Sequence, residues 1–164
     1  MRPEERIILS LDGFVTIGDA LTAVEAIGVR GVIVKMNDLL DECGVSAVRA
    51  FKERGFRVFA DMKVHDIPDT AARRTARWRN AGADFLTVHA SGHDEMMKRC
   101  VEAAGEKMKI LAVTVLTSFD HVASMHVFGR SPSQTVGNLA FSAFMAGAHG
   151  VVASPKELRK LDEL

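Results

Sequence analysis

Six short runs of apolar, often β-branched residues recur along this chain at nearly even spacing: Ile7 to Leu11, Gly31 to Met36, Phe56 to Met62, Asp84 to His89, Ile110 to Leu116 and Gly150 to Ala153. Between most of them lies a stretch with helical spacing, such as Ile17, Leu21, Val24 and Ile27, or the arginine-rich segment Ala71 to Ala81. This alternation predicts parallel strands joined by right-handed crossovers, because a parallel neighbour cannot be reached by a hairpin. The fold class is therefore α/β. Gly28, Gly55 and Gly82 each stand shortly before the next run, where glycine most easily adopts the left-handed turn that ends a helix. The repeat of about 25 residues is close to one unit of a TIM (β/α)8 barrel, in which about 250 residues make eight.

A closed barrel and an open doubly wound sheet differ in what the strands present at their carboxyl ends. Side chains alternate along a strand, so Ile8, Ser10 and Asp12 share a face, as do Ile33 and Lys35, and Phe59, Asp61 and Lys63. On all three strands the charged residue comes last. The intervening Leu9, Leu11, Val32, Val34 and Val58 would then face the helices, and the charges would ring the mouth of a barrel. The expectation is one incomplete barrel domain over residues 1–164, supplying about six βα units. A longer interval from Ser118 to His149 predicts a polar loop placed to act as a lid, then a helix from Gln134 to Ala146. A final helix is expected from Pro155 to Leu164.

Composition narrows the partners. Lysine plus arginine equals aspartate plus glutamate at 21 each, so no basic field exists to hold nucleic acid or an anionic membrane. A small molecule is the expected ligand. Cys43 and Cys100 share no C-x-x-C spacing and fall in helical stretches, which fits reduced thiols in a cytoplasmic protein. The start, M-R-P-E-E-R, leads into only a short apolar run, which predicts neither a secretory leader nor a membrane span.

The chemistry concentrates in Asp61 to Thr70, D-M-K-V-H-D-I-P-D-T, directly after the third apolar run. If the first three strands are neighbours about 4.8 Å apart, Asp12, Lys35, Asp61 and Lys63 meet at one rim with alternating sign. At an effective dielectric of about 20, a pair 4 Å apart interacts by about 4 kcal/mol, enough to hold the members ionised. Such an array can press a substrate anion against a carboxylate while a lysine stands ready to donate a proton. The alternative is a solvated ion-pair network, which any single pair of this kind would equally suit. The Ile-Pro after Asp66 predicts a fixed turn, with Asp69 or Thr70 capping the helix that follows.

The stretch resembles the signature D-x-K-x-x-D-I-P-x-T of the orotidine 5′-phosphate decarboxylase family, metal-free barrel enzymes that make UMP. S-L-D ending at Asp12, V-K-M at Lys35, T-V-H-A at His89, A-V-T-V-L-T-S up to Ser118 and G-V-V-A-S-P-K-E near the end are similar in the same order. The resemblance implies decarboxylation of orotidine 5′-phosphate in pyrimidine biosynthesis without a cofactor. It makes Lys63 the proton donor to the pyrimidine carbon that loses carbon dioxide, and places Asp61 beside the scissile carboxylate. Asp66 would reach into a neighbouring subunit's site, implying a homodimer. Lys35 and Asp12 would hold the ribose hydroxyls and orient the other charges, which counts Lys35 among the catalytic residues, Thr70 would lie in the substrate-binding stretch, and Thr117 would contact the base. Loss of carbon dioxide from a ring carbon needs a nearby cation and prompt protonation, and lysine suits both tasks.

Other polar residues give weaker signals. His65 lies within the charged stretch and His89 at the end of the fourth strand; a hydrogen bond at the barrel rim is the expected role of His89. His93, His121, His126 and His149 are expected in solvated loops or helix starts. Related Mg²⁺-dependent sugar-phosphate decarboxylases and aldolases carry an acid on the second strand, where this chain has Lys35, and a lysine would repel the ion. Met96, Met97, Met108, Met125 and Met145 suggest adaptable core packing. Arg73, Arg74, Arg77 and Arg79 suggest a solvated face, and Arg130 in G-R-S-P lies within reach of a phosphate only if its loop closes.

The six predicted strands fall two short of the barrel, leaving the first and sixth with open edges. The loops after strands seven and eight, which bind phosphate in such barrels, have no counterpart among these residues. Two readings follow: residues of a longer decarboxylase, or a shortened, non-catalytic relative acting as a binding or assembly protein. Intact mass of the purified protein separates them.

Overall fold

The computed structural model describes residues 6–28 and 31–162, so the M-R-P-E-E start and the last two residues of the expected final helix lie outside the described residues. Six strands form one parallel sheet in strict chain order: β1 (Ile8–Ser10), β2 (Ile33–Met36), β3 (Arg57–Val64), β4 (Phe85–His89), β5 (Lys109–Val113) and β6 (Gly150–Val152). A doubly wound sheet would reverse this order at a switch point. Sequential order instead follows the wall of a barrel, of which these strands make part.

Helices fill the crossovers: α1 (Ile17–Ile27), α2 (Asp38–Cys43), α3 (Val45–Glu53), α4 (Pro68–Ala81), α5 (His93–Ala104), α6 (His121–Phe128), α7 (Pro132–Met145) and α8 (Leu158–Leu161). Gly28, Gly55 and Gly82 take positive φ of 69°, 80° and 98° at or just beyond helix ends, as their positions predict. The core lies on the helix side of the sheet. Leu11, Val34, Met36, Val58, Ala60, Leu86, Val88, Ile110 and Ala112 are buried there against Leu21, Val24, Val48, Phe51, Met96 and Met97. At about 1.5–3 kcal/mol for each large side chain removed from water, this layer dominates the stability of the fold.

The opposite face carries the lower filling of the barrel and then its charges. Ile33 and Phe59 are buried, the Phe59 and Phe85 rings stand 6.0 Å apart, and the Arg57 guanidinium lies 5.1 Å from the Phe85 centroid. Lys35 is in register with Phe59, which is in register with Phe85, so the polar residues begin at Lys35 level with this aromatic pair, and Asp61 and Thr87 follow one same-face step further along β3 and β4. The outer edges of β1 and β6 have no strand neighbour among the described residues, as expected from the sequence.

Several expectations need correction. The interval read as a polar loop contains α6, capped by Asp120, whose side chain accepts from the Ala123 N–H at 2.8 Å. His121 opens this helix, as expected of a helix start, whereas His126 lies within it. The next helix begins at Pro132, two residues before the expected Gln134, because Ser131 and Gln134 form a reciprocal capping box ahead of it. Met96, Met97 and Met108 are buried, but Met125 and Met145 are 44% and 58% exposed and pack no core. The residues from Pro155 form a short 3₁₀ turn before α8 rather than one continuous helix. Cys43 and Cys100 are free thiols. Among the described residues no helix is long and apolar enough to cross a membrane.

Candidate active site

Strand β3 does not run regularly to its end. Ala60 is in register with Leu86 but Val64 with Val88, so four steps along β3 match two along β4. This bulge puts Lys63 at φ 44°, a left-handed conformation for a residue with a long side chain. Such a conformation costs on the order of 1–3 kcal/mol and persists only where its surroundings hold it.

The kink brings the Lys63 ammonium back onto the strand's own carboxylate. Lys63 Nζ donates to Asp61 Oδ2 at 2.8 Å, and Lys35 Nζ approaches the same oxygen at 3.4 Å. Lys35 Nζ also donates to both carboxylate oxygens of Asp12, at 2.8 and 2.9 Å. Asp12, Lys35, Asp61 and Lys63 thus form one continuous row of alternating charge across the ends of three strands. Burial is uneven along it: the Asp61 side chain is 11% exposed, Lys35 20%, Lys63 38% and Asp12 55%.

The ionisation of these groups follows from their partners. Burial opposes the charged form of Asp61, but hydrogen bonds from Lys63 and Thr87 and the nearby ammonium charges outweigh it, holding its carboxyl below the usual range. For Asp12 burial is likewise outweighed, by hydrogen bonds from Lys35 and Ser10 and by the Lys35 and Lys63 charges, and its pKa falls. Lys35 shifts upward because the two carboxylates more than offset its own burial. All three are held charged near neutrality.

Two uncharged residues complete the arrangement and were not singled out by the sequence. Thr87 Oγ1 donates to Asp61 Oδ1 at 2.8 Å and accepts from the Lys63 N–H at 2.9 Å. Asn37 Nδ2 donates to the Asp61 carbonyl oxygen at 2.6 Å. Asn37 lies two positions beyond Lys35, which strand alternation had placed on this face, and Thr87 lies two before His89, which was expected at the rim, so extending the same period to these strands was the available signal.

The remaining expected residues lie apart from the row. Asp66 Oδ1 accepts from the Ile67 N–H at 2.8 Å, and the other oxygen faces Arg74 at 3.4 Å. Thr70 Oγ1 accepts from Arg73 at 2.9 Å. Neither Asp69 nor Thr70 caps α4: Pro68 fills its first turn, the N-cap is Ile67 without a side-chain bond, and Asp69 instead pairs with Arg99 at 3.1 Å. Thr117 is exposed beyond β5, beside a hollow lined by Phe119, Pro132, Val136 and Lys156.

His65 and His89 pack with ring centroids 5.3 Å apart, so a ring contact takes the place of the expected rim hydrogen bond of His89. Burial, then the His65 and Lys63 charges, push the His89 pKa down against the pull of Asp61. The exposed His149 still accepts from the Ile110 N–H at 3.1 Å. The arginine run is more than a solvated face, since Arg79 donates to the Ala103 carbonyl at 2.7 Å and Arg77 lies 5.8 Å from the Trp78 centroid. Among the described residues no three His, Cys, Asp or Glu side chains gather as a metal-binding group.

Parallel strands in barrel order, with polar groups converging at their carboxyl ends, define a protein of the β/α-barrel class with its site at the mouth. Its sequence relatives narrow that class. The chain belongs to the orotidine 5′-phosphate decarboxylase / HUMPS family, whose model matches residues 5–164. It is 41% identical over 161 residues to an orotidine 5′-phosphate decarboxylase from Anaeromyxobacter sp. (strain K), covering 96% of this chain and 70% of the relative. The Moorella thermoacetica enzyme of the same name is 37% identical over 175 residues, covering 99% of this chain and 69% of its own. Among solved structures, the orotidine 5′-phosphate decarboxylase from Lactobacillus acidophilus superposes with a TM-score of 0.87 at 31% identity, over 96% of this chain and 75% of that one.

Proposed function

We propose that this chain decarboxylates orotidine 5′-phosphate to UMP in pyrimidine biosynthesis without a metal ion, Lys63 protonating the carbon that loses carbon dioxide. The observation that carries this is the row Asp12–Lys35–Asp61–Lys63, in a chain whose relatives bear that enzyme's name. The bond from the ring carbon to the carboxyl group breaks, carbon dioxide leaves, and the electron pair stays on the ring. The Lys63 ammonium, held within 2.8 Å of Asp61, then gives its proton to that carbon and is left as a neutral amine. Asp61 stands beside the departing carboxylate and steadies Lys63. Lys35 and Asp12 bind ribose hydroxyls, Thr70 belongs to the substrate-binding stretch, and Thr117 meets the base.

In the same proposal the protein is a cytoplasmic homodimer. Asp66 crosses to the neighbouring subunit's site, which suits a carboxylate that lies outside the row and, among the described residues, is held by Ile67 and Arg74 at the start of its own helix. Metal independence is supported by Lys35, whose ammonium already occupies the space between the Asp12 and Asp61 carboxylates where Mg²⁺ would have to sit.

The test follows conversion of orotidine 5′-phosphate to UMP with and without a chelator. Turnover unaffected by the chelator is expected. Chelator-sensitive turnover would favour the Mg²⁺-dependent relatives instead, and absence of turnover from protein of verified mass would overturn the proposal.

A further inference from the structure

We propose that Thr87 is a positioning residue for the row, one hydroxyl that holds both the Asp61 carboxylate and the backbone kink presenting Lys63. Its importance for turnover rests on the decarboxylase proposal; its geometry does not. Thr87 is 1% exposed on β4, so it acts through these two neighbours rather than on a ligand. Its Oγ1 lies 2.9 Å from the Lys63 nitrogen and 2.8 Å from Asp61 Oδ1. The polarity of the pair is fixed, because a backbone N–H can only donate. The hydroxyl must accept from Lys63 and therefore sends its single proton to Asp61.

Both bonds answer needs created by the bulge. Displaced from the regular ladder between Ala60 and Val64, the Lys63 N–H takes a side-chain oxygen as its acceptor, and the left-handed φ of 44° is thereby tied to β4. With Oδ1 of Asp61 engaged by Thr87, Oδ2 is the oxygen turned toward both ammonium groups, 2.8 Å from Lys63 and 3.4 Å from Lys35. Valine has threonine's shape but can neither accept nor donate here, whereas serine keeps the hydroxyl and gives up only a methyl group.

Thr87→Val and Thr87→Ser therefore separate positioning from packing. Carboxyl ¹³C NMR of Asp61 titrated with pH reads the first bond without requiring activity. The titration midpoint should rise in Thr87→Val and return in Thr87→Ser. In turnover, Thr87→Val should lower kcat by on the order of 100-fold with KM little changed, since a displaced catalytic group costs about that much, and Thr87→Ser should recover most of it. An unmoved Asp61 midpoint in Thr87→Val, or kcat near wild type, would overturn the inference, as would failure of serine to restore either. If the wild-type protein shows no turnover, the decarboxylase proposal falls and the Asp61 titration alone decides the positioning role. If circular dichroism shows Thr87→Val unfolded, Thr87→Cys, a weak donor close to serine in shape, replaces it in the same comparison.

Discussion

Lys35 faces two carboxylates on unequal terms. The Asp12 oxygen is nearer, at 2.8 Å against 3.4 Å for Asp61, while Asp61 is far more enclosed, its side chain 11% exposed against 55%. In a uniform dielectric the attraction falls inversely with distance, and Asp12 would hold the larger share by about a fifth. Solvent reverses that order. Exposed ion pairs are worth about 0–1 kcal/mol, whereas a hydrogen bond to a charged group shielded from water contributes about 1.5–3 kcal/mol. Paired substitutions of Lys35→Met with Asp61→Asn should therefore show a coupling of about 2 kcal/mol, and with Asp12→Asn less than about 1 kcal/mol. Urea unfolding measures both cycles, followed by the emission of Trp78, the chain's single tryptophan, which is 6% exposed. Lys35→Met alone should lower Tm by about 4–8 °C, from the loss of about 2 kcal/mol in a chain of this size. A coupling to Asp12 equal to or above that to Asp61 would show that distance, not burial, ranks these contacts.

Lys63→Ala should abolish decarboxylation while leaving the far-ultraviolet circular dichroism unchanged; turnover near wild type would remove Lys63 as proton donor. The His89 pKa is depressed by burial, then by the His65 and Lys63 charges. The stability it confers is complete above about pH 6.5 and is lost as pH falls through its lower folded value. Asp61 and Asp12 are also depressed and extend the loss below about pH 4, while the raised Lys35 loses its contribution only above about pH 10.4. His89→Gln should flatten the first part of the acid limb in urea titrations, and an unchanged slope there would contradict the assignment. A Cβ at Gly92 would collide with the buried Met96 thioether and come within 3.1 Å of His65 Cδ2, so Gly92→Ala should cost about 1–3 kcal/mol in the same unfolding assay.

The strand order and three of the four charges could be read from the sequence because they obey one rule, period-two alternation with the charge at the carboxyl end. Asp12, Lys35 and Asp61 follow it. Lys63 joins them by a different route: the sequence places it by simple alternation, but the structure brings its ammonium to Asp61 through a bulge and a positive φ. Nothing in M-K-V announces such a kink, since the acceptor of the Lys63 N–H, the Thr87 hydroxyl, comes from another strand. The helix α6 was missed for a related reason. It has no apolar stripe to reveal a helical period, with Val122 and Val127 73% and 58% exposed, and only its bracketing Asp120 and Gly129 mark it. Asp69 and Thr70 looked like helix caps because of their residue types, yet Pro68 had already fixed the first turn ahead of them.

The row also explains why its two lysines are not equivalent. An ammonium group has three hydrogens to donate. Lys35 reaches three carboxylate oxygens, two of Asp12 and one of Asp61, and its side chain is 20% exposed. All three of its hydrogens face carboxylates, so in the proposed complex a ribose hydroxyl would draw one of them from Asp12 or Asp61. Among the described residues Lys63 reaches a single carboxylate oxygen, that of Asp61, and its side chain is 38% exposed at the open end of the row. Lys35 is thus built as a brace, and Lys63 as the cation with hydrogens to spare for something that enters the mouth. The strained backbone at Lys63 fits the same division: the brace sits on a regular strand, and the irregularity falls on the residue at the open end of the row, whose ammonium it turns onto Asp61.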